Sequence, residues 1–156
     1  MKIKLIVVGK TDESYLSEGI NKYLDRLKHY ASFEVDVIPD VKLGKKSNIN
    51  LQKEKEGELI LSKVKKSEFL ILLDEKGKEY NSIGFSGFLQ KRMNTGLDVV
   101  FVIGGPFGFS DSIYTRADSK LAISQMTFSH QMVRPFFMEQ LYRGYTILKN
   151  EPYHHK

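Results

Sequence analysis

A chain of 156 residues, 41% of them apolar, can bury an ordinary core as one domain spanning 1–156, and its composition is neither disordered nor collagen-like. The lack of cysteine excludes disulfides, Cys-ligated zinc and thiol catalysis. The opening apolar run is too short for a signal peptide and no segment has the length of a bilayer span, so the expectation is a soluble cytoplasmic protein; the formal charge of +5 permits a polyanionic partner without identifying one.

Ile3 to Val8 reads as a first strand, closed by Gly9. From Tyr15 to Lys28 the residues Leu16, Ile20, Tyr23, Leu24 and Leu27 recur at helical spacing, with Asp12 or Ser14 as the cap. Phe33 to Val37 alternates with period two, predicting a half-buried strand that Pro39 ends. Val41 to Asn50 holds Gly, Ser, Asn and Lys without periodicity and reads as a flexible loop. Its Lys42, Lys45 and Lys46, followed by Lys53, Lys55, Lys63, Lys65 and Lys66, form either a solvated face or a phosphate-contacting surface. Leu51 to Lys65 predicts a mostly solvated helix marked by Leu59, Ile60 and Val64.

Phe69 to Leu73 is a continuous apolar strand ending at Asp74, and Phe85, Phe88, Leu89 and Met93 mark a helix that Gly96 terminates. Val99 to Ile103, apolar at every position, predicts a strand buried on both faces of a parallel sheet. The glycine-rich break after it, Gly104-Gly105-Pro106-Phe107-Gly108, falls where ligands of such sheets sit. A short helix over Asp111 to Ala117, a short strand near Leu121 to Ser124 and a terminal helix from about Gln131 to Lys149 complete the pattern. Strands alternating with helices build βαβ units, so the fold class is α/β, a Rossmann-like parallel sheet with helices on both faces.

The terminal helix carries Met132, Val133, Phe136, Phe137, Met138, Leu141, Tyr142, Tyr145, Ile147 and Leu148 around most of its circumference. A helix packed only on its own sheet needs one apolar stripe, so this one calls for cover on a second face, and a homodimer built on it is the expectation. The alternative is a helix sandwiched within one chain. Pro135 belongs in the first turn or at a kink.

Taken singly, the chemical candidates are ambiguous. The glycine loop is neither a P-loop nor a dinucleotide fingerprint, and the same residues make a tight turn as readily as a close approach for a ligand. His130 has no partner at metal-ligand spacing, so no metal is expected. Glu139 and Arg143 stand at i and i+4, the spacing of a surface ion pair, and Tyr142 and Tyr153 are as readily packing residues as stacking ones.

Their order along the chain is more specific. An apolar strand ending Leu73-Asp74, an Ile-Gly-Gly-Pro-x-Gly loop at Ile103 to Gly108, Met126-Thr127-Phe128-x-His130, a helix bearing Glu139-x-x-Tyr142-Arg143 and a terminal Pro152-Tyr153-His154 resemble the small SPOUT-class methyltransferases of bacteria. Among these the resemblance is to the ribosomal large-subunit pseudouridine N3-methyltransferase family; it spans the whole chain and includes Val8-Gly9-Lys10 and Lys55-Glu56-Gly57. It implies a deep carboxyl-terminal trefoil knot, which general rules of chain topology would exclude, and a homodimer.

It also implies S-adenosyl-L-methionine as cofactor, held largely by backbone at Leu73, Gly104, Gly105 and Ile123, Ser124, Gln125, Met126, Thr127, Phe128. The acceptor it implies is N3 of a pseudouridine in 23S rRNA on the assembled 70S ribosome, turned out of its stack to reach the pocket. His154, Tyr153 and Arg143 are the candidates for taking the proton or stabilising the anion, with Glu139 positioning Arg143 and the tail of one subunit completing the site of the other. His130, Arg134 and the Lys42, Lys45, Lys46 loop are expected on RNA phosphates. Ser129 and Pro135 depart from the family pattern at the entry to the terminal helix. The rival readings are a non-catalytic ribosome-binding factor and a flavodoxin-like nucleotide module.

Overall fold

The computed structural model describes residues 1–44 and 48–155; Lys45 and Lys46 lie outside the described residues. The elements run β1 (Lys2–Val8), α1 (Ser14–Leu27), β2 (Ser32–Ile38), α2 (Ile49–Ser62), β3 (Phe69–Glu79), α3 (Ser82–Thr95), β4 (Val99–Ile103), α4 (Asp111–Arg116), β5 (Ser119–Ala122) and α5 (Val133–Leu148). The strands form one sheet in the order β2-β1-β4-β3-β5, with every neighbouring pair parallel.

Alternation along each strand decides which layer a residue joins. Val99, Phe101 and Ile103 of β4 pack with Ile3, Leu5, Ile71, Phe137 and Leu141 under α1, α3 and α5. Val100 and Val102 pack with Ile6, Leu72, Ile60 and Ile113 under α2 and α4. Both faces are covered, and all five residues of β4 are buried, as the unbroken apolar run predicts.

Several boundaries differ from expectation for local reasons. β3 continues past Leu73 to Glu79 because its polar second half pairs with β5 across a register shift. Leu73 and Lys78 both pair with Leu121, so Asp74 to Gly77 bulge out of the ladder. Gly77 is required there, since a Cβ would lie 2.6 Å from the Leu121 nitrogen. The α1 cap is Glu13, without a side-chain bond, and neither Asp12 nor Ser14; the Asp12 carboxylate instead accepts from Gln131 Nε2 at 2.7 Å. α2 begins within the expected loop because Asn48 caps it, accepting from the Leu51 amide at 2.7 Å. β5 sits two residues earlier than expected. Pro135 falls in the first turn of α5, where its missing N–H removes no helical bond.

α5 lies on the sheet between α1 and α3. A Cβ on its Gly144 would come 2.7 Å from Leu89, so glycine lets α5 and α3 approach closely. Neighbours within the chain thus supply part of the second cover that the apolar circumference demands. What they leave open is at the amino end: Met132 and Phe136 are 40% and 48% exposed, beside Phe128, whose ring centroid is 5.6 Å from that of Phe136.

Candidate active site

A cleft of about 460 Å³ opens at the bulge of β3 and the carboxyl end of β4. One wall is Leu73 with the bulged Asp74, Glu75 and Lys76; the second is Ile103 to Phe109; the third is formed by Ile123, Ser124, Met126, Thr127, Phe128, His130 and Val133. Lys53 and Tyr114 close the rim. The expected cofactor residues therefore come together, except Gln125, which is exposed and off the cleft wall.

Hydrogen bonds fix these walls to one another. The Gly108 amide donates to the Gly105 carbonyl at 3.2 Å, closing a narrow hairpin around Pro106 and Phe107, and Gly108 has φ +83°, a left-handed conformation that side chains disfavour. Thr127 donates to Glu75 and Tyr114 to Asp74, so the bulge of β3 is the post to which the third wall and the rim are tied. Ser124 Oγ accepts from the Met126 amide at 3.0 Å, which turns the third wall.

Two charged groups lie behind the walls. Glu56 is buried and stands where a Gly105 Cβ would come 2.3 Å from its Oε1. Its Oε2 accepts from Gln52 Nε2 at 3.2 Å, and the same amide donates to the Val41 carbonyl at 3.0 Å. Oε1 has no hydrogen-bond partner among the described residues. Burial pushes the Glu56 pKa up, the Asp40 charge adds to that, and the Gln52 bond opposes it.

Arg134 is the clearest departure from expectation. It is not on the surface to meet RNA phosphates: it is 1% exposed, and its guanidinium donates to the Val8 carbonyl at 2.7 Å, the Gly9 carbonyl at 2.9 Å, Thr11 Oγ1 at 3.0 Å and the His130 carbonyl at 3.2 Å. It pins the start of α5 to the end of β1. His130 itself lines the cleft, and burial followed by the Arg134 charge lowers its pKa against the pull of Asp40 and Asp12. Lys42 is exposed.

The other expected residues gather further along α5 and in the tail that follows it. Glu139 Oε1 accepts from Arg143 Nη2 at 2.5 Å, Arg143 Nε at 3.1 Å and the Tyr153 hydroxyl at 3.0 Å. Arg143 Nη1 donates to His154 Nδ1 at 3.2 Å, and the guanidinium lies 4.8 Å from the Tyr153 ring centroid. The Glu139 bond raises the Arg143 pKa; burial, then bonds to Tyr23 and Glu139, raise that of Tyr153. Tyr153 is therefore a protonated donor at neutral pH. None of the four lines the cleft of its own chain, and at ~1.5 Å per helical residue Arg143 is roughly 15 Å along α5 from Val133.

The sequence marked Tyr23 only as a packing residue of α1, whereas its hydroxyl lies 3.3 Å from that of Tyr153, and it gave no sign of Asp74 and Glu75 as wall posts. Nothing short of the fold brings these partners together, since Tyr23 and Tyr153 are 130 residues apart. No group of three or more metal-ligating side chains occurs among the described residues, and no described helix is long and apolar enough to cross a membrane.

An open parallel sheet with a glycine-walled cleft beyond its central strands places the chain in a class that agrees with its relatives. The family model described as "Predicted SPOUT methyltransferase" matches residues 1–154, and the chain belongs to that family of methyltransferases. It is 61% identical over 157 residues to ribosomal RNA large subunit methyltransferase H of Christiangramia forsetii, 59% to that of Flavobacterium johnsoniae and 56% to that of Parabacteroides distasonis, each alignment covering 100% of both chains.

Proposed function

We propose that this single-domain protein transfers a methyl group from S-adenosylmethionine to N3 of a pseudouridine in 23S rRNA on the assembled 70S ribosome. The observation that carries the reading is the convergence of three separate chain segments on one cleft at the bulge of β3 and the carboxyl end of β4. The relatives' names supply the ribosomal RNA of the large subunit as substrate class.

The residues present fit the cofactor. Leu73, Ile103 and Ile123 offer apolar cover for an adenine, Gly104 and Gly105 leave backbone open to a close-lying ligand, and the 123–128 segment gives main-chain donors and acceptors. When bound, the cofactor supplies a sulfonium-activated methyl group. The acceptor N3–H is a weakly acidic imide, which must lose its proton as the nitrogen takes the methyl group. Arg143, a fixed cation, suits stabilisation of the developing anion, and the His154 imidazole at its side is the group suited to proton uptake. Glu139 orients Arg143, and Tyr153 donates to Glu139.

That cluster does not line the cleft of its own chain, so the reading requires a homodimer. Two copies of α5 packed antiparallel through the exposed Met132 and Phe136 would set the Arg143 end of one against the cleft end of the other. A trefoil knot follows from the same family reading. The path of the chain supports it: β5 lies outside β3, yet the next segment returns across the ends of β3 and β4 before α5 begins between α1 and α3.

The deciding experiment is transfer of labelled methyl to 70S ribosomes with and without the target pseudouridine. Label is expected only on ribosomes that carry it, and equal labelling of both would remove the substrate assignment.

A further inference from the structure

Of the three acids on α2, Glu54 and Glu58 are exposed and only Glu56 is buried, at 3% exposure. It is driven inward by the packing of its neighbour: a Cβ on Gly57 would lie 2.5 Å from Ser110 Oγ, so α2 sits hard against the cap of α4. The carboxyl is thereby pressed on Gly105, a residue of the cleft wall. One residue of backbone separates it from the cleft. One carboxyl oxygen is held by Gln52; the other, excluded from water, has no hydrogen-bond partner among the described residues. The loop it touches, Gly104 to Ser110, contains no charged residue.

A buried carboxylate short of partners is costly in isolation, and a cation placed nearby relieves the cost. The two nucleosides that must pass through the cleft differ in this respect. The methyl donor carries a positive sulfonium; once the carbon–sulfur bond breaks, the electron pair stays on sulfur and leaves a neutral thioether. We propose that Glu56 is a specificity-determining residue whose negative field, acting through Gly105, favours the sulfonium donor over the spent thioether product. It rests on the reading of the cleft as an S-adenosylmethionine site. Gly105 is glycine, on this account, for two reasons: a side chain would displace the carboxyl, and bare backbone keeps the charge close to the ligand.

At such short range, across a layer of backbone, one charge can alter a binding ratio roughly tenfold. The test is calorimetric, on wild type and Glu56→Gln, with S-adenosylmethionine, S-adenosylhomocysteine and sinefungin, whose amine carries positive charge in place of the sulfonium. Glu56→Gln is expected to weaken S-adenosylmethionine and sinefungin about tenfold and to leave S-adenosylhomocysteine within twofold. Equal weakening of all three, or none, overturns the proposal and makes Glu56 a packing residue of the loop. A wild type that binds none of the three overturns the cofactor reading and this inference with it.

Should the variant fail to fold, the carbon-13 resonance of the Glu56 carboxyl in wild type decides the question. The groups to follow with it are Asp40, ahead of α2, and Lys53 and Lys55 on α2. S-adenosylmethionine is expected to move the Glu56 titration to lower pH and S-adenosylhomocysteine to leave it in place; identical titrations with the two ligands overturn the proposal.

Discussion

Two arginines on α5, Arg134 and Arg143, show how differently one helix uses its ends. Arg134 is sealed in the fold and bonds three backbone carbonyls and a hydroxyl, so its charge serves to join α5 to β1. Arg143 keeps a quarter of its side chain exposed and bonds a carboxylate and an imidazole, groups that can exchange protons. The amino end of the helix accordingly borders a cleft shaped by backbone, while the carboxyl end carries a charged, hydrogen-bonded cluster. On the proposed reading, binding and chemistry are set apart along one helix, and each chain of a homodimer contributes half of each of two sites.

The largest effect that tests this division is removal of the tail. Deleting residues 153–156 is expected to lower single-turnover methyl transfer by ~10³-fold or more, since positioned acid–base groups and charge stabilisation are both lost. Cofactor affinity, measured by calorimetry, should stay within about twofold. Loss of cofactor binding in that variant would break the comparison. Mixing tail-deleted subunits with Gly105→Val subunits, whose new side chain collides with Glu56, sharpens it further. Inactive separately, the two are expected to regain activity in mixed dimers, which carry one intact composite site; no recovery would return the tail to its own chain's cleft.

At the other end of the helix the expected effect is on stability. Arg134→Ala leaves the Val8 and Gly9 carbonyls without their donor and should cost about 3 kcal/mol or more in urea unfolding. Arg143→Ala, by contrast, should change stability by about 1 kcal/mol or less, because its ion pair is partly exposed. Equal losses would erase the distinction between the two residues.

The smallest effect is on alkaline stability. Burial raises the Tyr145 pKa from 10.0 to about 12, and the Tyr153 phenol is raised as well. In the unfolded chain these groups ionise at lower pH than in the fold, so the native state binds more protons and stability falls as pH rises. The contribution of Tyr145 is complete below about pH 10 and is lost as pH climbs through about 12. Tyr145→Phe should flatten the pH dependence of the urea midpoint over that range; an unchanged slope would remove Tyr145 as its source.

Much of the architecture was legible because burial on both faces writes itself as unbroken apolar runs, as in Leu70 to Leu72 and Val100 to Val102. The second half of β3 was not, since Asp74 to Glu79 is polar and is held as strand only by β5 and a bulge. Formal charge misplaced Arg134, because the carbonyls that bury it come from residues more than 120 positions earlier. The resemblance marked Glu56 only within Lys55-Glu56-Gly57; its contact with Gly105 is something that spacing on α2 does not reveal. Motif order along the chain located the cleft residues well, yet only coordinates separate them from the cluster at the far end of α5.

The Gly105–Gly108 hairpin leaves a tip of two residues, one of them a proline whose ring already fixes its torsion. Little wandering remains in that stretch to be frozen out on complex formation. A receptor surface set in advance meets its guest by collision and fit, without a slow ordering phase. It can also let go of a spent guest without first melting.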